Sequence, residues 1–201
     1  EPYSALGYAH NGGAGAVAAP AALGISGTNA IVDWVVVELR DATTPSSVLA
    51  TSSALLQRDG DVVAMNGTSP VSFDRPPGNY HLALRHRNHL GVMTLSPIPL
   101  GSSTTAVDLV AGPVSGTQAR KTIAGAFSTQ ALWSGDATFN GQIKYTGSGN
   151  DRDPILTTVG STTPNNISTV YSPRDVNMDG VVKYTGGSND RDPILVNVGS
   201  T

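Results

Sequence analysis

The last third of the chain states one pattern twice, and that duplication constrains the fold more than any other feature. Residues 136–156 read DATFNGQIKYTGSGNDRDPIL and residues 175–195 read DVNMDGVVKYTGGSNDRDPIL, at a constant offset of 39 residues. In the second copy Asp175, Asn177 and Asp179 put oxygen-bearing side chains at alternate positions before Gly180. In the first, Asp136, Thr138 and Asn140 do the same before Gly141. Two copies this short bury little surface alone, so they are expected to pack on each other. The chain has no cysteine. Oxygen donors at this spacing therefore point to a hard cation rather than to a soft thiolate-bound metal.

A calcium loop supplies side-chain oxygens at its first, third and fifth positions, turns sharply at a glycine in the sixth and offers a carbonyl at the seventh. The second copy assigns Asp175, Asn177, Asp179 and the Val181 carbonyl. The first assigns Asp136, Thr138, Asn140 and the Gln142 carbonyl. The twelfth position, where an acid is usual, holds Gly186, so a lengthened loop is expected to return Asp190, and Asp151 in the first copy, to the cation. Ile143 and Val182 are expected to join the loops by a short β-bridge. Asp153 and Asp192, each before a proline, are expected to cap short helices that stop at Gly160 and Gly199. Ile194, Leu195 and Val198 would then pack on Ile155, Leu156 and Val159. The second copy carries three formal negative charges (Asp175, Asp179, Asp190) and the first two (Asp136, Asp151). Two calcium sites are expected, the second stronger, with dissociation constants of roughly 10⁻⁴–10⁻³ M as in extracellular modules.

Upstream the sequence reads as strands and turns. Thirteen of the 15 acidic residues are Asp, with only Glu1 and Glu38 as Glu, and there are 23 Gly and 13 Pro. Asp favours turns and caps, whereas Glu favours helix interiors. Seven short strands are expected, over 31–39, 48–56, 62–65, 71–73, 80–85, 91–95 and 104–110. With turns such as Asp59-Gly60 and Asn66-Gly67 between them, they predict an antiparallel Ig-like β-sandwich over 30–110. Residues 1–29, rich in Gly and Ala, read either as a disordered leader or as an extended arm donated as a strand to a neighbouring subunit. Residues 111–132 read as a connector. Within it, Ile123, Ala126, Phe127 and Leu132 are the apolar content of a short helix or a strand. The tandem repeats occupy 133–201. Trp34 is expected in the sandwich core and Trp133 at the junction with the repeats.

With its duplicate, the stretch from Asp175 to Val198 resembles a dockerin-type tandem calcium repeat. Lys183-Tyr-Thr-Gly and Asn189-Asp-Arg-Asp-Pro-Ile-Leu195 resemble secreted cell-surface proteins of Bacteroidota-like bacteria. The blocks 32–41, 53–63 and 85–94 are similar to the same group, so the resemblance spans about residues 30–199. The Pro77-Gly-Asn-Tyr80 turn is similar to transthyretin-like and Cna-B-like sandwiches. The resemblance implies secretion, calcium, and surface display or adhesion. Gly186, Thr138 and the lengthened loop depart from the dockerin pattern and argue against cohesin recognition.

Other features narrow the function. A net charge of −3 with 13% charged residues gives no basic footprint for nucleic acid. No apolar run is long enough to span a membrane. Glu1 opens the chain without Met or a signal-peptide pattern, as expected of a processed secreted protein. His81, His86 and His89 form the most polar cluster; His86 and His89, three apart, face opposite sides of a regular strand. No nucleophile elbow, phosphate loop or His-Glu-x-x-His motif is present. Asn66 and Asn166 match the glycan-acceptor triplet. The expected function is non-enzymatic: a calcium-binding structural subunit of an extracellular surface assembly, a filament or adhesive layer, self-associating through residues 1–29. The alternative is an accessory or anchoring module of a larger secreted enzyme or adhesin.

Overall fold

The computed structural model describes residues 1–124 and 129–199. Ala126 and Phe127 of the connector lie outside them. The fold is mainly β, with antiparallel sheets and, among the described residues, two short α-helices. The chain divides into two compact units: Glu1–His86 with Val92–Thr117, and Arg87–Gly91 with the chain from Gln118 onward.

The largest sheet among the described residues has six strands. Strands β1 (Ile31–Asp41), β2 (Val48–Gln57), β3 (Val62–Val63), β4 (Gly78–His86) and β5 (His89–Met93) lie in the order β3-β2-β1-β4-β5. A sixth strand, β6 (Ile98–Leu100), pairs with the start of β4. The β-branched run of β1 makes it the central strand, pairing antiparallel with both β2 and β4. Val35 through Leu39 are all buried, so both faces of the sheet are covered. One face carries Val35, Val37 and Ala54 with Leu82 and Leu84, and the loop residues Val71 and Phe73 close over it.

The layer on the other face is the N-terminal segment. Tyr3 is fully buried and its hydroxyl donates to the Trp34 carbonyl at 2.7 Å. Tyr8 donates to Glu38 at 2.6 Å. Asn11 exchanges bonds with Thr51, whose hydroxyl donates to the Gly12 carbonyl. The Ser53 hydroxyl donates to the Gly13 carbonyl. Gly13 lies at φ +76°, and a Cβ there would sit 2.9 Å from both the Ser52 Cα and the Thr51 carbonyl oxygen, so only glycine fits. Ala22, in the 3₁₀ turn Pro20–Gly24, packs with Leu55 and Val63, and Trp34 lies against the same cluster. Residues 1–29 thus form turns folded on their own sheet. Glu38, almost fully buried, is paired with Arg40, and Arg85 lies 4.0 Å away. Burial and the bond to Glu38 push the Tyr8 phenol above its ordinary pKa.

Two expected strands are not strands. Over 104–110 the chain ends in a turn, where Asp108 accepts the N–H groups of Val110 and Ala111. Val71 and Phe73 contribute side chains to the core from a loop. The strand that was not expected, β6, contains Pro99 and pairs with β4 over three residues only.

In the second unit β7 (Lys121–Ile123) and β8 (Thr129–Ala131) pair antiparallel. Trp133 donates its indole N–H to the Gln118 carbonyl, with the Lys121 ammonium 5.5 Å from the ring centre. The two copies share one core of Ala137, Ile155, Val159, Val176, Val182 and Ile194. Ile155 and Ile194 come from equivalent places on α1 (Arg152–Thr158) and α2 (Arg191–Asn197). Val198, expected in this core, is 43% exposed, whereas its counterpart Val159, placed equally one residue past its helix, is buried. The expected bridge between Ile143 and Val182 is absent from the described pairings. Strand β10 (Val182–Lys183) pairs instead with β9 (Ile167–Ser168), from the segment that links the copies. Each helix also starts earlier than expected. Asn150 and Asn189, rather than Asp153 and Asp192, provide the capping oxygens, accepting the backbone N–H of Asp153 and of Asp192.

Candidate metal centre

Each copy folds its oxygen-rich stretch around two buried carboxylates. In the second loop, Asp175 accepts the N–H of Asp179 at 3.1 Å and of Gly180 at 3.0 Å. In the first, Asp136 accepts the N–H of Asn140 and of Gly141, both at 2.8 Å. The glycines lie at φ +86° and +80°, and Met178 and Phe139 at +61° and +59°. The two loops therefore take the same left-handed turns at equivalent residues.

The returning acids are fully buried and bind their loops from the opposite side. Asp190 accepts the N–H of Val176 (2.6 Å), Asn177 (3.2 Å) and Lys183 (2.7 Å). Asp151 accepts those of Thr138 (3.0 Å) and Lys144 (2.8 Å), together with the Thr138 hydroxyl (2.9 Å). The lengthened loop is held by matching bonds, Lys144 Nζ to the Ser148 carbonyl and Lys183 Nζ to the Gly187 carbonyl. The extra residues thus form a stapled turn that delivers Asp151 and Asp190 beside the loop start. Burial raises the pKa of Asp190 to about 6, and the neighbouring Asp175 carboxylate adds to that rise.

The remaining expected ligands are differently placed. Asn177 Oδ1 accepts the Asp179 N–H, and its amide donates to Asp179 and to the Ser188 carbonyl. Asp179 is exposed and accepts the Val181 N–H; Asn140 accepts the Gln142 N–H. Among the described residues no three His, Cys, Asp or Glu side chains converge as a metal-holding group. Two carboxylates per loop are buried together, and neutral oxygens from Asn, Thr and backbone surround them. A carboxylate has about four acceptor positions, so the bonds to Asp175 and Asp190 in the second loop leave lone pairs over. The donors gathered here are all oxygens, the donor chemistry that a hard cation takes.

The histidines do not form a site. His86 is bonded to Asp33 at 3.2 Å, His81 to the Thr94 carbonyl at 3.0 Å and His89 to the Asn88 side chain at 2.7 Å. Asn66 and Asn166 are both exposed. The Asn66 amide donates to the Ser69 hydroxyl and that of Asn166 to the Thr163 hydroxyl. Sequence reasoning missed Asn88, which is fully buried and donates to the Asp175 carbonyl at 2.6 Å. Its signal was its place in the polar run Arg85–His89, read for histidines alone.

No protein-family model matches this chain, and comparison with curated proteins and with solved structures gives no match either. Among the described residues no helix is long and apolar enough to cross a membrane.

Proposed function

We propose that this protein is a non-enzymatic, calcium-binding structural subunit of an extracellular bacterial surface assembly, a filament or adhesive layer. The observation that carries the reading is the duplicated cage: two loops with the same turns, each holding a buried pair of carboxylates among oxygen donors. In an EF-hand-like, dockerin-like module of this kind, Asp175, Asn177, Asp179, Asp190 and the Val181 carbonyl hold one calcium. Asp136, Thr138, Asn140, Asp151 and the Gln142 carbonyl hold a weaker one. The ion supplies charge neutralisation and cross-links the loop; the side chains supply the bonds that keep the loop closed.

Self-association follows from the N-terminal segment. In this reading the first unit acts as an Ig-like module whose second layer is residues 1–29. The stretch Gly24–Asn29, exposed except at Ile25, joins that layer to β1. The same contacts of Tyr3, Tyr8, Asn11 and Gly13 form whether the segment belongs to the same chain or to a neighbour, which is the condition for exchange. Exposed Asn66 and Asn166 would accept glycans on such a surface. The test is sedimentation and electron microscopy of the full chain over a range of concentrations, with calcium and with chelator. Polymers that disappear on deletion of residues 1–29 are expected, and a full chain that stays monomeric throughout overturns the assembly role. A second reading, an accessory or anchoring module of a larger secreted enzyme or adhesin, is favoured by the compactness of the second unit. It predicts a monomer that still binds calcium.

A further inference from the structure

Resting on the calcium reading, we infer that Asn88 is a positioning residue that couples the two sites, so that filling one loop raises the affinity of the other. Asn88 holds the first ligand of both loops. Its backbone carbonyl accepts the N–H of Gly135 at 2.8 Å and of Asp136 at 3.1 Å. Its side-chain amide donates to the carbonyl of Asp175 at 2.6 Å. The side-chain oxygen meets His89 Nδ1 at 2.7 Å, which fixes the rotamer of the amide. The residue is fully buried, so water does not compete for these bonds.

Asp136 and Asp175 are the residues whose carboxylates close their loops onto the N–H groups four and five positions on. Ordering one loop around an ion fixes the backbone of its first residue. Through Asn88 that also fixes the backbone of the other loop's first residue, whose carboxylate is then already aimed. The second ion therefore orders less chain than the first, which is positive coupling. The shared core of Ala137, Ile155, Val176 and Ile194 is the competing route, since it also joins the copies. The two routes differ in what they require: the core route is indifferent to the amide of Asn88.

The experiment is a calcium-binding cycle by titration calorimetry on the full chain. Asp151→Ala disables the first loop, and the affinity of the second is measured with Asn88 intact, as Asn88→Ala and as Asn88→Asp. The last keeps the shape and removes the donor to Asp175. With Asn88 intact, Asp151→Ala is expected to weaken the second site about 5-fold or more, at the low end of coupling effects. With either Asn88 variant the same change is expected to be under about 2-fold, because only the ratio, not the absolute affinity, reports coupling. An equal ratio in all three backgrounds overturns the inference and assigns coupling to the core. Wild-type protein that takes up no calcium overturns the calcium reading instead, so the two failures are distinguishable. Amide exchange at Asp136 gives a second readout: filling the second loop alone should slow it with Asn88 present and leave it unchanged in Asn88→Asp.

Discussion

Replacing Asp175 by alanine tests the site most directly, because its effect separates into a part that needs calcium and a part that does not. The carboxylate is 4% exposed and accepts two backbone N–H groups, from Asp179 and Gly180. Hydrogen bonds to a charged group contribute about 1.5–3 kcal/mol each when their loss leaves a buried donor. Both donors here belong to exposed residues, so water replaces the carboxylate and the two together amount to about 2 kcal/mol. Removing the Asp175 charge also relieves Asp190, which lowers the cost in chelator to about 1–2 kcal/mol. Calcium at ten times its dissociation constant stabilises the native state by about 1.4 kcal/mol per site, and the variant loses that as well. Urea denaturation of wild type and Asp175→Ala, followed by tryptophan fluorescence in chelator and in about 10 mM calcium, should give a gap that widens by about 1–1.5 kcal/mol when calcium is added. The same gap in both buffers would show that Asp175 is a turn-forming residue and no ligand.

Gly13→Ala should loosen the N-terminal layer, since a Cβ at φ +76° meets the backbone of Thr51 and Ser52 at 2.9 Å. A cost of about 1–3 kcal/mol is expected, visible as faster proteolysis near residue 13 while the rest of the chain stays resistant. In chelator, stability should decline as pH rises. Asp190 titrates near 6 in the folded protein and near 4 unfolded, so its contribution is complete below about pH 4 and is lost by about pH 6. Thermal melts from pH 4 to 7, with and without calcium, check this; a flat profile in chelator contradicts the buried charge pair. Met178→Asn should stabilise by about 0.5–1 kcal/mol, because Asn tolerates the left-handed backbone that exposed Met178 adopts at φ +61°. Thermal melts decide it, and a lowered midpoint would place the Met178 side chain in a role other than strain.

The parts of this fold that were legible were those written in short-range pattern. The β-branched run from Ile31 to Leu39 became the central strand, and the alternating stretch Tyr80 to Arg85 became its neighbour. The repeat was legible because identical residues recur at one offset, and the structure gives both copies the same turns at Gly141 and Gly180. What the sequence hid were contacts between distant residues. The seating of Gly12 and Gly13 on Thr51 and Ser53 spans about forty positions and leaves no periodicity in a Gly- and Ala-rich stretch. The donation from Asn88 to Asp175 joins residues 87 apart, and an asparagine between Arg87 and His89 carries no signal of so distant a partner. The pairing of β10 was misjudged for the same reason: the partner of Val182 came from the linker, whose Ile167 and Ser168 carry no strand signal of their own.

The internal bonds of the loops also bear on how calcium would act. Asp136 and Asp175 already hold their loops closed through backbone N–H groups, and Asp151 and Asp190 already fasten the far ends. A loop so arranged keeps its fold without a cation, so calcium would act less as a switch than as a brace that orders the loop further. Its contribution then depends on neutralising two buried carboxylates, and it falls hardest on the second loop, where Asp179 adds a third charge. The first loop has Thr138, whose hydroxyl donates its one proton to Asp151 at 2.9 Å. That hydroxyl, with the backbone N–H groups of Thr138 and Lys144, satisfies Asp151 without an ion. The asymmetry between the copies therefore gives them different work: the first loop holds its shape from its own bonds, and the second draws on the ion.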